Sequence, residues 1–425
     1  MTWQPLLTGA HGEAALNAAR AIASALAEPP ACVVTEQFSA GSIRVVNVSL
    51  GMGRAGVAVA LGYLALADPE VPSHAASARK HIADAAQALG KEKMPPALQS
   101  GFTGIAWALA RLRGWNIVRV DDSSLAAVDA ALASYVDRDD WPFSLDVIGG
   151  LAGQLVYALA RLPRPDAALC VERAVRIFER TAEELPDGIS WFTPPAQLWG
   201  ASLEKAPRGC YNVGIAHGTP GTVAVLSEVY ASGIERTRVR KLVEEGVRWI
   251  LAQEIAGTGN FPVMTGEDVV WKPSRMAWCY GSPGIPVVLL RAATALGRED
   301  WRDEAVRLAL AAAARPFAEA EVIDPGFCHG AAGNGHLFNR LYQETGEARF
   351  ADAARAWFDR ALSMRVDGEG VAGFSSRPLP DGVAYPEPGL VYGAAGVAAA
   401  LAAAASAVEP EWDAAFLLSR AGAAA

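Results

Sequence analysis

The chain has 425 residues, of which 52% are hydrophobic and 20% charged, and its formal net charge at pH 7 is −9. That composition is too apolar for a disordered chain and ample for a large core. The acidic balance, with Arg scattered rather than gathered into patches, excludes nucleic acid and anionic lipid as main partners.

The opening residues, "MTWQPLLTGAHGEAAL", lack a basic stretch leading into an apolar run, so no export signal is read and a cytoplasmic protein is expected. A first helix is expected over 13–28. From residue 53 onward the turn G-x-x-G followed by an apolar run recurs seven times. The instances are "GRAGVAVAL" (53), "GFTGIAWAL" (101), "GLAGQLVYAL" (150), "GTPGTVAVL" (218), "GSPGIPVVLL" (281), "GAAGNGHLF" (330) and "GAAGVAAAL" (393). One such turn carries little information; seven with matched followers define a repeat.

Between these runs lie segments such as 166–185, 236–254 and 300–317, whose apolar positions recur at three- and four-residue steps. That period marks a helix with one wet face. The runs after each turn are apolar nearly all round, as for helices buried on both sides. Strand signals are nearly absent. Helix pairs of this kind must stack on their neighbours. An open stack needs polar caps at its ends, and neither terminus offers one, so closure into a ring is expected. The predicted fold is all-α: one α/α toroid domain over 1–425, with seven inner helices, seven outer helices and G-x-x-G turns at the inner N-termini.

Extra residues in the longer repeats fall at 186–212, 257–275 and 366–388, each ahead of an inner helix. They gather on one rim, where functional groups on loops are expected. The charge-free run 389–408 is mostly Ala and Gly and is read as a buried helix, not a membrane span.

Five cysteines stand at 32, 170, 210, 279 and 328, and reduced thiols are expected. Cys170 lies in a helical pattern and reads as core. Aligning the repeats on the first Gly of each turn shows what the others do. The two preceding residues are Ala216–His217 in repeat four, Cys279–Tyr280 in repeat five and Cys328–His329 in repeat six. Repeat three carries Asp146 four residues before its glycine. Equivalent offsets in neighbouring repeats point at one place.

Two thiolates and an imidazole suit Zn²⁺, and three protein ligands leave a fourth position open, as in catalytic zinc sites. Cys279, Cys328 and His329 are the predicted ligands. A cation holding two thiolates can still bind and deprotonate an incoming thiol, giving a nucleophile at neutral pH. His217 is then a candidate acid or base, which Asp146 could orient. Arg275 and Tyr280 are candidates to stabilise a developing enolate. Plainer alternatives stand beside these: buried thiols and a capping His, Asp146 as a helix cap, Arg275 in a loop ion pair.

At "LDVIGGLAG", "GIAHGTPG", "AWCYGSPG" and "CHGAAG" the chain resembles the lanthionine synthetase C-like cyclases, and the seven glycine turns extend the resemblance over nearly its whole length. The resemblance implies a seven-fold α/α toroid with one central Zn²⁺ held by Cys279, Cys328 and His329. It implies Michael-type addition of a peptide Cys thiol to dehydroalanine or dehydrobutyrine, giving lanthionine or methyllanthionine. His217 would serve as acid or base, with Asp146, Arg275 and Tyr280 around the centre. The expected partners are a dehydrated precursor peptide and a separate dehydratase. A zinc-containing protein of the same fold that binds thiols such as glutathione, or docks a peptide, is the alternative. A toroidal glycosidase fits poorly, since it needs two carboxylates across one bond. Trp191, Phe192 and Trp199 in the first rim insertion are read either as a grip on substrate or as packing.

Overall fold

A computed structural model describes residues 2–28, 33–38, 41–198, 200–270, 272–377 and 382–420. In chain order the first elements are α1 (Gly9–Ala25), a hairpin of β1 (Val33–Phe38) and β2 (Gly41–Val46), α2 (Arg54–Ala67), α3 (Ser73–Leu89) and α4 (Phe102–Gly114). Next come α5 (Asp122–Tyr135), α6 (Leu151–Ala160), α7 (Pro165–Thr181), β3 (Glu183–Leu185), β4 (Gly188–Ser190) and β5 (Phe192–Thr193). The short α8 (Ala201–Lys205), β6 (Cys210–Asn212), α9 (Thr219–Ser232), α10 (Arg236–Ala252) and β7 (Met264–Thr265) follow. The last are α11 (Gly284–Leu296), α12 (Glu299–Ala313), α13 (Ala331–Thr345), α14 (Ala348–Ser363) and α15 (Ala394–Ala405).

The seven runs after the glycine turns are α2, α4, α6, α9, α11, α13 and α15. They are buried almost throughout, whereas α7 and α10 bury one stripe. On α7 the buried set runs Ala167, Cys170, Val171, Ala174, Val175, Ile177 and Phe178, the three- and four-residue step of the sequence. α15 reaches burial mostly with Ala, interrupted by Gly396, Val397 and Leu401. Ala has the best helix propensity and no side-chain entropy to lose, so a largely Ala surface suits a helix pressed on all sides. No helix among the described residues is long and apolar enough to cross a membrane. The charge-free run 389–408 holds the buried helix α15, with short loop stretches on either side of it.

The glycine turns have a backbone cause. In four repeats the loop before the helix doubles back so that its carbonyls take the first N–H groups of the helix, which otherwise lack partners. In repeat six, Ala331, Ala332 and Gly333 donate to the carbonyls of Asp324, Pro325 and Gly326, at 2.9, 3.1 and 3.2 Å. Repeats one, three and seven do the same. This wrap brings main chain onto the helix start: a Cβ on Gly333 would lie 1.6 Å from the Phe327 carbonyl oxygen, and one on Gly150 would lie 2.4 Å from that of Ser144. Only glycine allows that approach. Repeat five departs from the pattern. There Gly281 has φ +74°, Pro283 is the N-cap and α11 starts at the second glycine.

By their contacts the residues fall into two compact units. One comprises Met1–Asp121 and Ile323–Trp412. In it α1 packs on α15, α2 on α3 and α13 on α14, while α2 also touches α4 and α15. The first helix thus completes the last repeat, with the Leu6 and Leu7 N–H groups both donating to Ala404 O at 2.8 Å. The other unit comprises Asp122–Val322 and Asp413–Ala425, with α6 on α7, α9 on α10, α11 on α12 and α9 between α6 and α11.

Several boundaries differ from those expected. The first helix is 9–25 rather than 13–28, and α7, α10 and α12 end earlier than the amphipathic pattern does. The rim insertions hold the short strands: β5 and β6 from the first pair with β7 from the second in one antiparallel sheet. Trp191 is buried and donates its indole N–H to Phe178 O at 2.9 Å, so it packs rather than grips. Phe192 is half-buried against Tyr211, and Trp199 lies outside the described residues.

Candidate metal centre

The residues two before the first glycine, or in repeat three the one three before it, are tied to one another through main chain. In one unit the Val147 N–H donates to Ala216 O and the Ala216 N–H to Cys279 O, at 3.1 and 3.3 Å. In the other unit the Cys328 N–H donates to Val391 O at 2.8 Å, Val391 to Gly51 O at 2.9 Å and Gly51 to Gln99 O at 2.8 Å. Matched sequence offsets therefore correspond to matched places in space.

A second device fixes the two cysteine loops. The residue before each Cys is a fully buried aromatic set edge-on to an aromatic of the C-terminal segment. Trp278 meets Phe416 at 5.0 Å and 90°, and its indole N–H donates to Phe416 O at 2.8 Å. Phe327 meets Trp412 at 5.1 Å and 71°. Such edge-to-face pairs add about 0.5–1.5 kcal/mol beyond the area they bury.

Cys279 is 9% exposed and Cys328 3%, and neither is in a disulfide, nor are the buried Cys170 and Cys210. Cys32 lies outside the described residues. Burial pushes the Cys170 and Cys210 thiols up to about 12 and about 11, so neither is a ready nucleophile. Among the described residues, Cys279, Cys328 and His329 form a group that can hold a metal ion, each offering one donor atom, with all three donors within 4.8 Å of one another. Two soft sulphurs and an imidazole match what Zn²⁺ prefers. Behind His329, the Asp324 carboxylate lies 4.0 Å from Nε2 and is itself held by the N–H groups of Gly326 and Arg377, at 2.9 and 3.0 Å.

His217 and Asp146 are brought together as expected, Nδ1 to Oδ2 at 2.6 Å. Asp146 also performs its plainer role, because Oδ1 accepts the N–H groups of Gly149 and Gly150, both at 2.9 Å, ahead of α6. Burial alone would raise the Asp146 pKa; the His217 bond and these two N–H groups outweigh it, leaving the carboxyl below its ordinary value. Burial likewise opposes charge on His217, but the Asp146 bond and charge win and Cys279 adds in the same direction, so its pKa lies above 6.5.

Tyr280 stands beside this pair, its ring 6.2 Å from that of His217 with 30° between the planes. Its hydroxyl donates to Asn212 Oδ1 at 3.3 Å. Arg275 is half-buried on the same loop and forms no ion pair among the described residues, so the plain salt-bridge reading is not seen. Asn212 escaped the sequence reading; its one signal there was a polar residue six before the first glycine of repeat four.

The family model described as lanthionine synthetase C-like protein matches residues 44–417. Among curated proteins, the nisin biosynthesis protein NisC of Lactococcus lactis subsp. lactis is 25% identical over 259 residues, which are 56% of this chain and 60% of that one. Glutathione S-transferase LANCL1 of Danio rerio is 28% identical over 157 residues, 37% of this chain and 36% of that one. The LanC-like protein GCL1 of Arabidopsis thaliana is 26% identical over 118 residues, 28% and 26% of the two chains. The matches thus span less than two thirds of each relative's length. Among solved structures, nisin cyclase superposes with a TM-score of 0.72 at 21% identity, covering 88% of this chain and 92% of that one. That likeness bears out the all-α toroid fold.

Proposed function

Since the chain belongs to the lanthionine synthetase C-like family, we propose that it is a zinc-dependent lanthipeptide cyclase, adding peptide Cys thiols to dehydroalanine or dehydrobutyrine. The gathering of the Cys279, Cys328 and His329 donors within 4.8 Å supports this most directly. These three residues would hold the ion. Zn²⁺, when bound, lowers the pKa of an incoming thiol and so favours its thiolate near pH 7.

The remaining work falls to the chain's own groups. The substrate sulphur bonds to the β-carbon as the C=C π bond opens and its electrons move onto the adjacent carbonyl as an enolate. A proton then goes to the α-carbon, and the thiol has added across the double bond with no change in total composition. Asp146 occupies the Nδ1 edge of His217, so proton exchange with substrate falls to Nε2. The raised pKa keeps that proton in place near neutrality. Arg275 supplies positive charge for the enolate, and Tyr280 borders the acid.

The peptide partner is a dehydrated precursor, made by a separate dehydratase, and the setting is cytoplasmic. The test is to mix the zinc-loaded chain with a dehydrated, Cys-containing peptide and follow free thiols and thioether by mass spectrometry after alkylation. Thiol loss no faster than in a metal-free control ends the proposal.

A second reading has one observation in its favour, the name of the Danio rerio relative. In it the thiol is glutathione and no ring forms. The same assay with added glutathione distinguishes the two, because an adduct heavier by one glutathione replaces the cyclic product.

A further inference from the structure

Six residues before the first glycine, most repeats carry a polar side chain that turns its own loop. Asn47 Oδ1 accepts the Ser49 N–H at 3.0 Å, Ser144 Oγ that of Asp146 at 3.2 Å, Asp324 Oδ1 that of Gly326 at 2.9 Å and Glu387 Oε1 that of Gly389 at 2.9 Å. These are the two-residue side-chain turns that Asn, Asp and Ser favour. Asn212 holds the same place in repeat four, and its side chain makes no such bond.

Its amide is used elsewhere. Asn212 is 3% exposed, on β6 between β5 and β7. Nδ2 donates to Thr193 Oγ1 on β5 at 3.1 Å and to Cys210 Sγ at 3.6 Å, while Oδ1 takes the Tyr280 hydroxyl at 3.3 Å. The Tyr280 ring rests on the main chain of Gly214, where an added Cβ would lie 2.4 Å from Tyr280 Cδ1. The phenol is thus held at its hydroxyl by Asn212 and beneath its ring by Gly214, with its face inclined toward His217. A buried amide with all its donors and acceptors engaged has one low-energy orientation. Diverting it from loop turning to a tyrosine hydroxyl fixes that tyrosine beside the acid.

We propose that Asn212 is a positioning residue for Tyr280, and that the rim sheet exists to hold it. This rests on the cyclase reading of the same site. Asn212→Ala is expected to lower kcat for ring closure about 10-fold, with KM within about two-fold and zinc content unchanged. Added to Tyr280→Phe, the same change should cost less than about two-fold more, since residues acting through one contact are not additive. Equal cost in both backgrounds, or none in either, overturns the proposal. Crystal structures provide a readout independent of activity: the Tyr280 ring should leave its place beside His217 in Asn212→Ala and stay in wild type. A ring that does not move overturns the positioning role even when the wild type forms no thioether, an outcome that by itself removes only the cyclase reading. Where Asn212→Ala does not fold, Thr193→Val removes the hydroxyl that orients the amide, and the same non-additivity with Tyr280→Phe is expected from it.

Discussion

His217 Nδ1 lies 2.6 Å from Asp146 Oδ2, while the other oxygen of Asp146 holds the N–H groups of Gly149 and Gly150. One carboxylate therefore anchors a helix start and orients an imidazole. Asp146→Asn leaves an acceptor for the two N–H groups but removes the charge that keeps His217 protonated. Ring closure should slow about 100-fold or more, the scale of general acid–base catalysis, at unchanged zinc content. Activity within a few-fold of wild type would place the acid elsewhere.

Cys279→Ala and Cys328→Ala should each abolish zinc retention, read as metal per chain by elemental analysis, while far-ultraviolet circular dichroism stays that of a helical protein. The helices owe their order to apolar burial and loop capping, neither of which uses the thiols. A full equivalent of zinc in either variant refutes the ligand assignment.

Gly333→Ala and Gly114→Ala form a matched pair. A Cβ at Gly333 would sit 1.6 Å from the Phe327 carbonyl oxygen, whereas at Gly114 it would meet nothing within 4 Å. The first change should destabilise by about 1–3 kcal/mol or more and weaken zinc binding through the Cys328 loop. The second should stabilise by roughly 0.5–1 kcal/mol, the usual gain of Ala over Gly in a helix. Urea denaturation reads both, and a neutral Gly333→Ala would remove the steric account of the repeat.

Trp412→Ala deletes the partner of Phe327 and Tyr63 and should cost about 3–5 kcal/mol, as for other buried aromatics. Zinc affinity should fall with it, because Cys328 follows Phe327 directly. Loss of stability with undiminished affinity would show that the aromatic pair does not steady the cysteine.

His74 and His81 are both held neutral. For each, burial lowers the pKa below 6.5 more than Asp68, in the case of His74, or the Leu26 carbonyl, in the case of His81, raises it. The unfolded chain then binds more protons than the folded one as pH falls through 6.5, so stability declines from there downward. Denaturation midpoints should drop between pH 7.5 and 5.5, and His81→Gln should flatten that slope. An unchanged slope would mean that the ring is charged in the folded protein.

The repeat and the ligand set were legible because both depend on sequence-local facts. A turn that admits only glycine leaves a mark at a fixed offset: Cys279 and Cys328 stand two residues before it, and His329 and His217 one before it. What the sequence concealed depends on partners distant along the chain. The pairing of α1 with α15, the burial of Trp412 and the joining of two insertions into one sheet are set by packing, which no local period encodes. The end of α7 was misjudged because its polar and apolar alternation continues into β3, where the chain has already become extended. Asn212 was hidden since an Asn before a glycine turn looks the same whether it bends its own loop or reaches a tyrosine.

The main-chain bonds that join Val147, Ala216 and Cys279 take no account of what those residues carry beyond Cβ. Reactivity is therefore detachable from architecture. Ala216 and Val391 occupy the same station as the two cysteines yet bear only methyl groups, and a new thiol or imidazole installed there would inherit a prepared location. A scaffold of this kind can be rechambered for different electrophiles one position at a time, without relearning how to fold.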